Sequence, residues 1–159
     1  MGQQVAEAFG AKVLRPDGAI DRQKLGKLVF SSTEARERLN RIMHGPMYEE
    51  VKSRLEQHRQ KGVGVAVLEA PLLIEADWTT LVDQVWVTVA PESTVLSRIQ
   101  GRSGLSRAEA MSRIRAQLPN EERVKHADVV IDTNRGLDEL REQVRGLWES
   151  AGLDRTAHA

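Results

Sequence analysis

The sequence predicts an α/β protein in three layers, a parallel sheet with helices flanking both faces. The run Val65-Ala66-Val67-Leu68 leads into Glu69. It is continuously apolar rather than alternating, as a strand buried on both faces requires. Two further strand-like runs, 83–90 and 128–132, are separated by helical periodicity, which is the rhythm of βαβ units. Between them stands the helix-start signal Ser106-x-x-Glu109.

The elements follow in order. Residues 3–9 suit a helix with Val5, Ala8 and Phe9 on one side. Pro16-Asp17-Gly18 reads as a turn, proline fixing φ and glycine admitting positive φ. Asp21 is placed to cap a helix carrying Leu25, Leu28 and Val29. Ser31-x-x-Glu34 has the form of a capping box, followed at helical spacing by Ala35, Leu39, Ile42 and Met43. Pro46 is expected at the first position of a further helix, with Met47, Val51 and Leu55 inward. Gly62 and Gly64 punctuate the entry to the 65–69 strand, around which the rest is expected to organise. After the 83–90 strand, Pro91 opens a helix through Val95 and Ile99. The box at Ser106 starts another, with Ala110, Met111 and Ile114. The 128–132 strand precedes a last amphipathic helix marked by Leu137, Leu140, Val144 and Leu147. The tail from Gly152 has little to bury and is expected to fray.

Composition bounds the function. A chain of 159 residues fits one domain with a real core. Its 23 basic residues balance 23 acidic ones, giving no overall field for nucleic acid or an anionic membrane. Hydrophobic content of 40% with 29% charged residues suits a soluble globular protein. No apolar run is long enough to span a membrane and no signal-peptide core is present, so a cytoplasmic location is expected. Without cysteine there is no disulfide, thiol nucleophile or zinc–thiolate site.

Chemistry is expected beyond the carboxyl ends of the strands, which singles out Glu69 and the turn at Pro71. An acid after four apolar residues is also how a Mg²⁺-linked carboxylate sits in phosphate-handling folds, although a strand-end acid facing solvent has the same pattern. Between Arg98 and Leu118, five arginines (98, 102, 107, 113 and 115) face the single acid Glu109. Guanidinium forks match phosphate oxygens. With Gly101 and Gly104 as hinges, the segment suits a lid over polyphosphate, or equally a solvated helix face. No Gly-x-x-x-x-Gly-Lys-Ser/Thr and no Gly-x-Gly-x-x-Gly occurs, and His44, His58, His126 and His158 lack metal-ligand spacing. These residues alone lead to an α/β domain with a phosphorylated ligand.

Across nearly the whole chain the sequence resembles the dephospho-CoA kinase family. Asp17-Gly18-x-Ile20-Asp21-Arg22-x-x-Leu25 with Val29-Phe30 is similar to one family segment. Leu39-Asn40-x-Ile42-x-His44 is similar to its Leu-Asn-x-Ile-x-His-Pro motif, with Gly45 in place of the proline. Pro71-Leu72-Leu73-Ile74-Glu75 resembles its Pro-Leu-Leu-Phe-Glu. Arg98 and Arg102 fall on lid arginines, followed by Arg113-Ile114 and Gln117. Ala127-Asp128-x-Val130-Ile131-x-x-Asn134-x-Gly136, with Leu140 and Gln143-Val144, matches the C-terminal signature.

The resemblance implies a P-loop kinase-like fold and ATP-dependent phosphorylation of the ribose 3′-hydroxyl of dephospho-CoA, the last step of CoA synthesis. It implies a helical substrate-side segment at 15–61, a core at 65–90 and 128–150, and an arginine-rich lid at 92–126. Arg22, His44, Pro71, Leu72, Leu73 and Glu75 would serve dephospho-CoA. Arg98 and Arg102 would stabilise the transferring phosphoryl group of ATP, Asn134 would lie near adenine, and Glu69 would act near Mg²⁺ through water.

Family members begin with a strand, a phosphate-binding loop with its lysine, a helix, and a second strand bearing the catalytic aspartate. The sequence is expected to start after these parts, as a truncated and impaired kinase missing the N-terminal strands. The absent first strand would leave a gap of roughly 9–10 Å, about two interstrand spacings. The expectation is a rearranged sheet, a strand supplied by another chain such as a second copy, or marginal stability. The alternative function is a non-catalytic nucleotide- or CoA-binding module that pairs with another polypeptide.

Overall fold

A computed structural model describes residues 2–153. The chain divides into two compact units, Met1–Val51 and Lys52–Ala159.

In the first unit, α1 (Gly2–Phe9) turns into a short 3₁₀ segment, Ala11–Val13. A tight loop follows, closed by the antiparallel bridge Leu14–Ile20. Pro16-Asp17-Gly18 makes the expected turn. Gly18 sits at φ 81°, its N–H donates to Arg15 O at 3.0 Å, and the Asp17 carboxylate accepts from Ala19 N at 3.0 Å. Asp21 caps α2 (Arg22–Ser31) as expected, accepting from Gln23 N at 3.0 Å and Lys24 N at 3.1 Å. The Lys24 N–H bond holds the Asp21 carboxyl below its usual range against the opposing cost of desolvation. The Gln23 N–H and the charges of Lys24 and Arg15 act with it.

Val5, Phe9, Val13 and Val29 form the buried centre, with Ile20, Leu25, Leu39, Ile42 and Met43 packed around them. The Arg38 guanidinium lies 5.9 Å from the Phe9 ring centroid, a cation–π distance.

Two expectations fail here. The residue that caps α3 (Thr33–Gln60) is Ser32, not Ser31: Ala35 N donates to Ser32 Oγ at 3.2 Å, while Ser31 Oγ donates back to Leu28 O at 3.0 Å. Ser31 is the last residue of α2, and the extended backbone needed for a cap (φ −139°, ψ 120°) falls one residue later. Nor does Pro46 open a new helix, because α3 runs through it. The preceding residue is Gly45, which has no Cβ to meet the proline ring, and both are exposed, so the missing N–H is of little consequence. Met47, expected inward, is 38% exposed.

In the second unit, the turn that follows α3 carries Gly62 at φ 69° while Val63 N donates to His58 O at 3.1 Å, a left-handed glycine terminus. The sheet has two strands among the described residues, β1 (Trp86–Val89) and β2 (Val129–Asp132), parallel with Trp86 opposite Val129. Both strand expectations hold, within narrower limits. The connection runs through α4 (Glu92–Ser103), α5 (Arg107–Arg115) and α6 (Asn120–Val124), and α7 (Leu137–Ser150) follows β2. The capping box at Ser106 is present in both directions. Gly101 lies inside α4, so it is no hinge, while Gly104 takes the left-handed cap position at φ 61°. Trp78, Val85, Val87, Ala90, Leu96, Ala110 and Ile131 are buried.

The expected organising strand is absent. Residues 63–70 form no regular structure, and 71–77 are turns. Val67 is 82% exposed. The reason lies in pairing, since a strand needs a neighbour's backbone. β1 uses the carbonyls of Val85 and Val89 toward β2 and its flanks, so by alternation those of Thr88 and Ala90 face the other edge. There Arg123 Nη2 donates to Thr88 O, and Asn120 Nδ2 donates to Ala90 O at 2.9 Å. Side chains of α6 thus occupy the edge on which a third strand would form. The tail expectation concerns residues that, beyond Leu153, lie outside those described.

Candidate functional site

Because β1 and β2 are parallel and in register, with Val89 opposite Asp132, their carboxyl ends lie side by side. The chain leaving β1 enters α4, and the chain leaving β2 forms the loop 133–136. Thr133 extends the ladder by one rung. Its N–H and its Oγ1 both donate to Val89 O, each at 2.9 Å. At the opposite end, Asp128 Oδ2 accepts from Val85 N at 2.7 Å. The short ladder is therefore closed by a side chain at each end.

α4 reaches over this loop with residues one turn apart. Arg98 Nη1 donates to Thr133 Oγ1 at 3.1 Å and Arg98 Nη2 to Thr133 O at 2.6 Å. Thr94 Oγ1 donates to Asn134 Oδ1 at 2.8 Å. Asn134 N in turn donates to Asp132 Oδ1 at 2.8 Å, and the other Asp132 oxygen pairs with Arg135 Nε at 3.3 Å. The structure thus brings together two of the expected residues, Arg98 and Asn134, at the strand ends where open parallel sheets bind ligands. Arg98 spends two of its five N–H donors on Thr133 and keeps three. A fixed planar cation beside an amide can hold an anion's oxygens and the polar edge of a ring.

The other expected residues are distributed more widely. Arg102, one turn beyond Arg98, is exposed and has no ion pair among the described residues. Glu75 anchors the backbone, its Oε1 accepting from Leu118 N at 3.0 Å. Pro71 is exposed, and Leu72 and Leu73 are half-buried within the turns. Glu69 is exposed, and among the described residues no group of three His, Asp or Glu side chains is poised around a cation. A lone carboxylate suits Mg²⁺ only in its usual mode, in which water and substrate phosphates complete the shell. Arg22, at the start of α2, and the half-buried His44 of α3 belong to the first unit.

Sequence reasoning missed Thr94, Thr133, Asn120 and Arg123. Hydroxyl residues carry no spacing signature. The usable signal was position: Thr133 directly follows a strand, and Thr94 lies four residues before Arg98 on the same helical face.

Residues 1–139 match the family model described as dephospho-CoA kinase. The chain is 46% identical over 142 residues to the dephospho-CoA kinase of Carboxydothermus hydrogenoformans, covering 89% of this chain and 69% of that protein. It is 42% identical to that of Dehalococcoides mccartyi, covering 89% of this chain and 72% of that protein. Among solved structures it resembles TT1252 from Thermus thermophilus, with TM-score 0.68 and 28% identity, over 93% of this chain and 75% of that one. It also resembles the dephospho-CoA kinase from Campylobacter jejuni, with TM-score 0.61 and 25% identity, over 93% of this chain and 74% of that one. No helix among the described residues is long and apolar enough to cross a membrane.

Proposed function

The chain belongs to the dephospho-CoA kinase family, and we propose from this that its strand-end site engages ATP for phosphorylation of the ribose 3′-hydroxyl of dephospho-CoA. The observation that carries the reading is Arg98, a cation with its head fixed at two points beside Asn134 at the carboxyl ends of both strands. In this reading Arg98 and Arg102 neutralise phosphate charge, Asn134 meets the adenine edge, and Glu69 acts on Mg²⁺ through water. Segment 92–126 serves as the lid. Arg22, His44 and the Pro71–Glu75 turn recognise dephospho-CoA, with 15–61 as the substrate-side segment.

Phosphoryl transfer depends on positioning and charge stabilisation more than on covalent help from the protein. The 159 residues contain no Gly-x-x-x-x-Gly-Lys-Ser/Thr. We therefore expect them, tested alone, to bind ligands but to turn over slowly or not at all. ADP release from Mg-ATP, with and without dephospho-CoA, tests this alongside calorimetric binding. Binding without dephospho-CoA-dependent release is the expected result. Rapid dependent release would overturn the impairment, and binding of neither ligand would overturn the reading.

A second reading is a binding module completed by another polypeptide, or by a second copy, that supplies a strand. One observation favours it: the apolar run at 65–68 has no backbone ladder, and Val67 stands exposed.

A further inference from the structure

The geometry points to Thr133 as the positioning residue of Arg98, setting its guanidinium for the phosphate groups of a nucleotide. The inference rests on the ATP reading above and adds to it a residue that neither motif nor family signature supplied.

Arg98 is exposed and carries a long, flexible side chain, which would ordinarily sample many rotamers. Here both of its terminal nitrogens meet one residue: Nη1 meets Thr133 Oγ1 at 3.1 Å and Nη2 meets Thr133 O at 2.6 Å. Two points define the plane of the fork, whereas the carbonyl alone would leave it free to pivot. The direction of each bond is fixed by the threonine. Its single hydroxyl hydrogen goes to Val89 O at 2.9 Å, so toward Arg98 the oxygen can only accept. Thr133 N also donates to Val89 O at 2.9 Å. The hydroxyl is thereby tied to the end of β1, and through it so is the arginine. The orientation of Arg98 is set by the parallel ladder itself rather than by its own helix.

The remaining N–H donors of the fork are available to planar anionic oxygens. Thr94 holds the neighbouring Asn134 from the same face of α4 at 2.8 Å. A ligand whose ring meets Asn134 would bring its phosphates toward a cation already oriented. Preorganisation of this kind strengthens binding by reducing the ordering cost at the moment of contact. It affects only the part of the ligand that bears charge.

The test is titration of the 159-residue protein with ATP and separately with adenosine, by calorimetry or equilibrium dialysis. The variants are Thr133→Val, Thr133→Ser, Arg98→Ala, and Thr133→Val with Arg98→Ala. Thr133→Val should weaken ATP binding roughly three- to tenfold, the range of one ordinary hydrogen bond at an exposed site. It should leave adenosine binding unchanged and add nothing in the Arg98→Ala background. Thr133→Ser, which keeps the hydroxyl, should behave as the parent. Equal losses for ATP and adenosine, or a further loss on top of Arg98→Ala, would show a structural role and overturn the assignment. Weakening by Arg98→Ala with none by Thr133→Val would overturn the assignment alone. No effect of Arg98→Ala, or no ATP binding by the parent protein, would overturn the functional reading and the assignment together.

Discussion

Val65-Ala66-Val67-Leu68 and Val85-Trp86-Val87-Thr88-Val89 are two apolar runs of similar character within one unit. Both are rich in valine, which suits a pleated surface. The second is a strand with Val87 only 5% exposed, while the first lies outside the sheet with Val67 82% exposed. The two differ in their neighbours more than in composition. Val85–Val89 has β2 beside it in register, Asp128 and Thr133 closing the ladder at either end, and Leu96 among the buried residues of the following helix. No paired backbone borders 65–68, because the far edge of β1 is taken by Asn120 and Arg123. A strand is thus a property of a pair, and an apolar run is only a candidate for one.

The largest expected effect comes from the paired side. Ile131→Ala removes a buried side chain from β2 and should cost about 2–5 kcal/mol in denaturant titration. A cost under about 1 kcal/mol would mean that the ladder region is loosely packed in solution. Asp128→Ala should cost about 1–3 kcal/mol, since it strips the acceptor from Val85 N. If Asp128→Asn restores most of that loss, the hydrogen bond rather than the charge is responsible.

The smallest effect should lie on the unpaired side. Val67→Ala should change stability by no more than about 0.5 kcal/mol, as exposed substitutions usually do. A loss above about 1 kcal/mol would break the comparison by showing that the segment is paired in solution. Hydrogen exchange sharpens the same point without mutation. The amides of Val87 and Ile131 should exchange far more slowly than those of 65–68, and equal protection would mean that both runs are strands.

The same contrast explains what the sequence made legible. Helix starts at Asp21 and Ser106 could be read because a cap is settled within three residues. The Ser31/Ser32 shift shows the limit of that reading: in Ser31-Ser32-Thr33-Glu34 several residues can cap, and the backbone of α2 decides. Pro46 misled because its meaning depends on Gly45 before it and on solvent around it. The 65–69 strand misled because its partners are decided far away in sequence. At the site, Arg98 and Asn134 stood out by charge and motif. Thr94 and Thr133 did not, because a hydroxyl acquires its role only once the parallel ladder brings residues 94 and 133 together.

The occupied edge of β1 has a consequence for copies of the protein at high concentration. A bare strand edge is a template on which identical molecules can stack rung by rung. Here the carbonyls of Thr88 and Ala90 are already bonded to Arg123 and Asn120. An arriving strand meets carbonyls already engaged and α6 side chains in its path, so stacking on this edge of the sheet is disfavoured at its first contact.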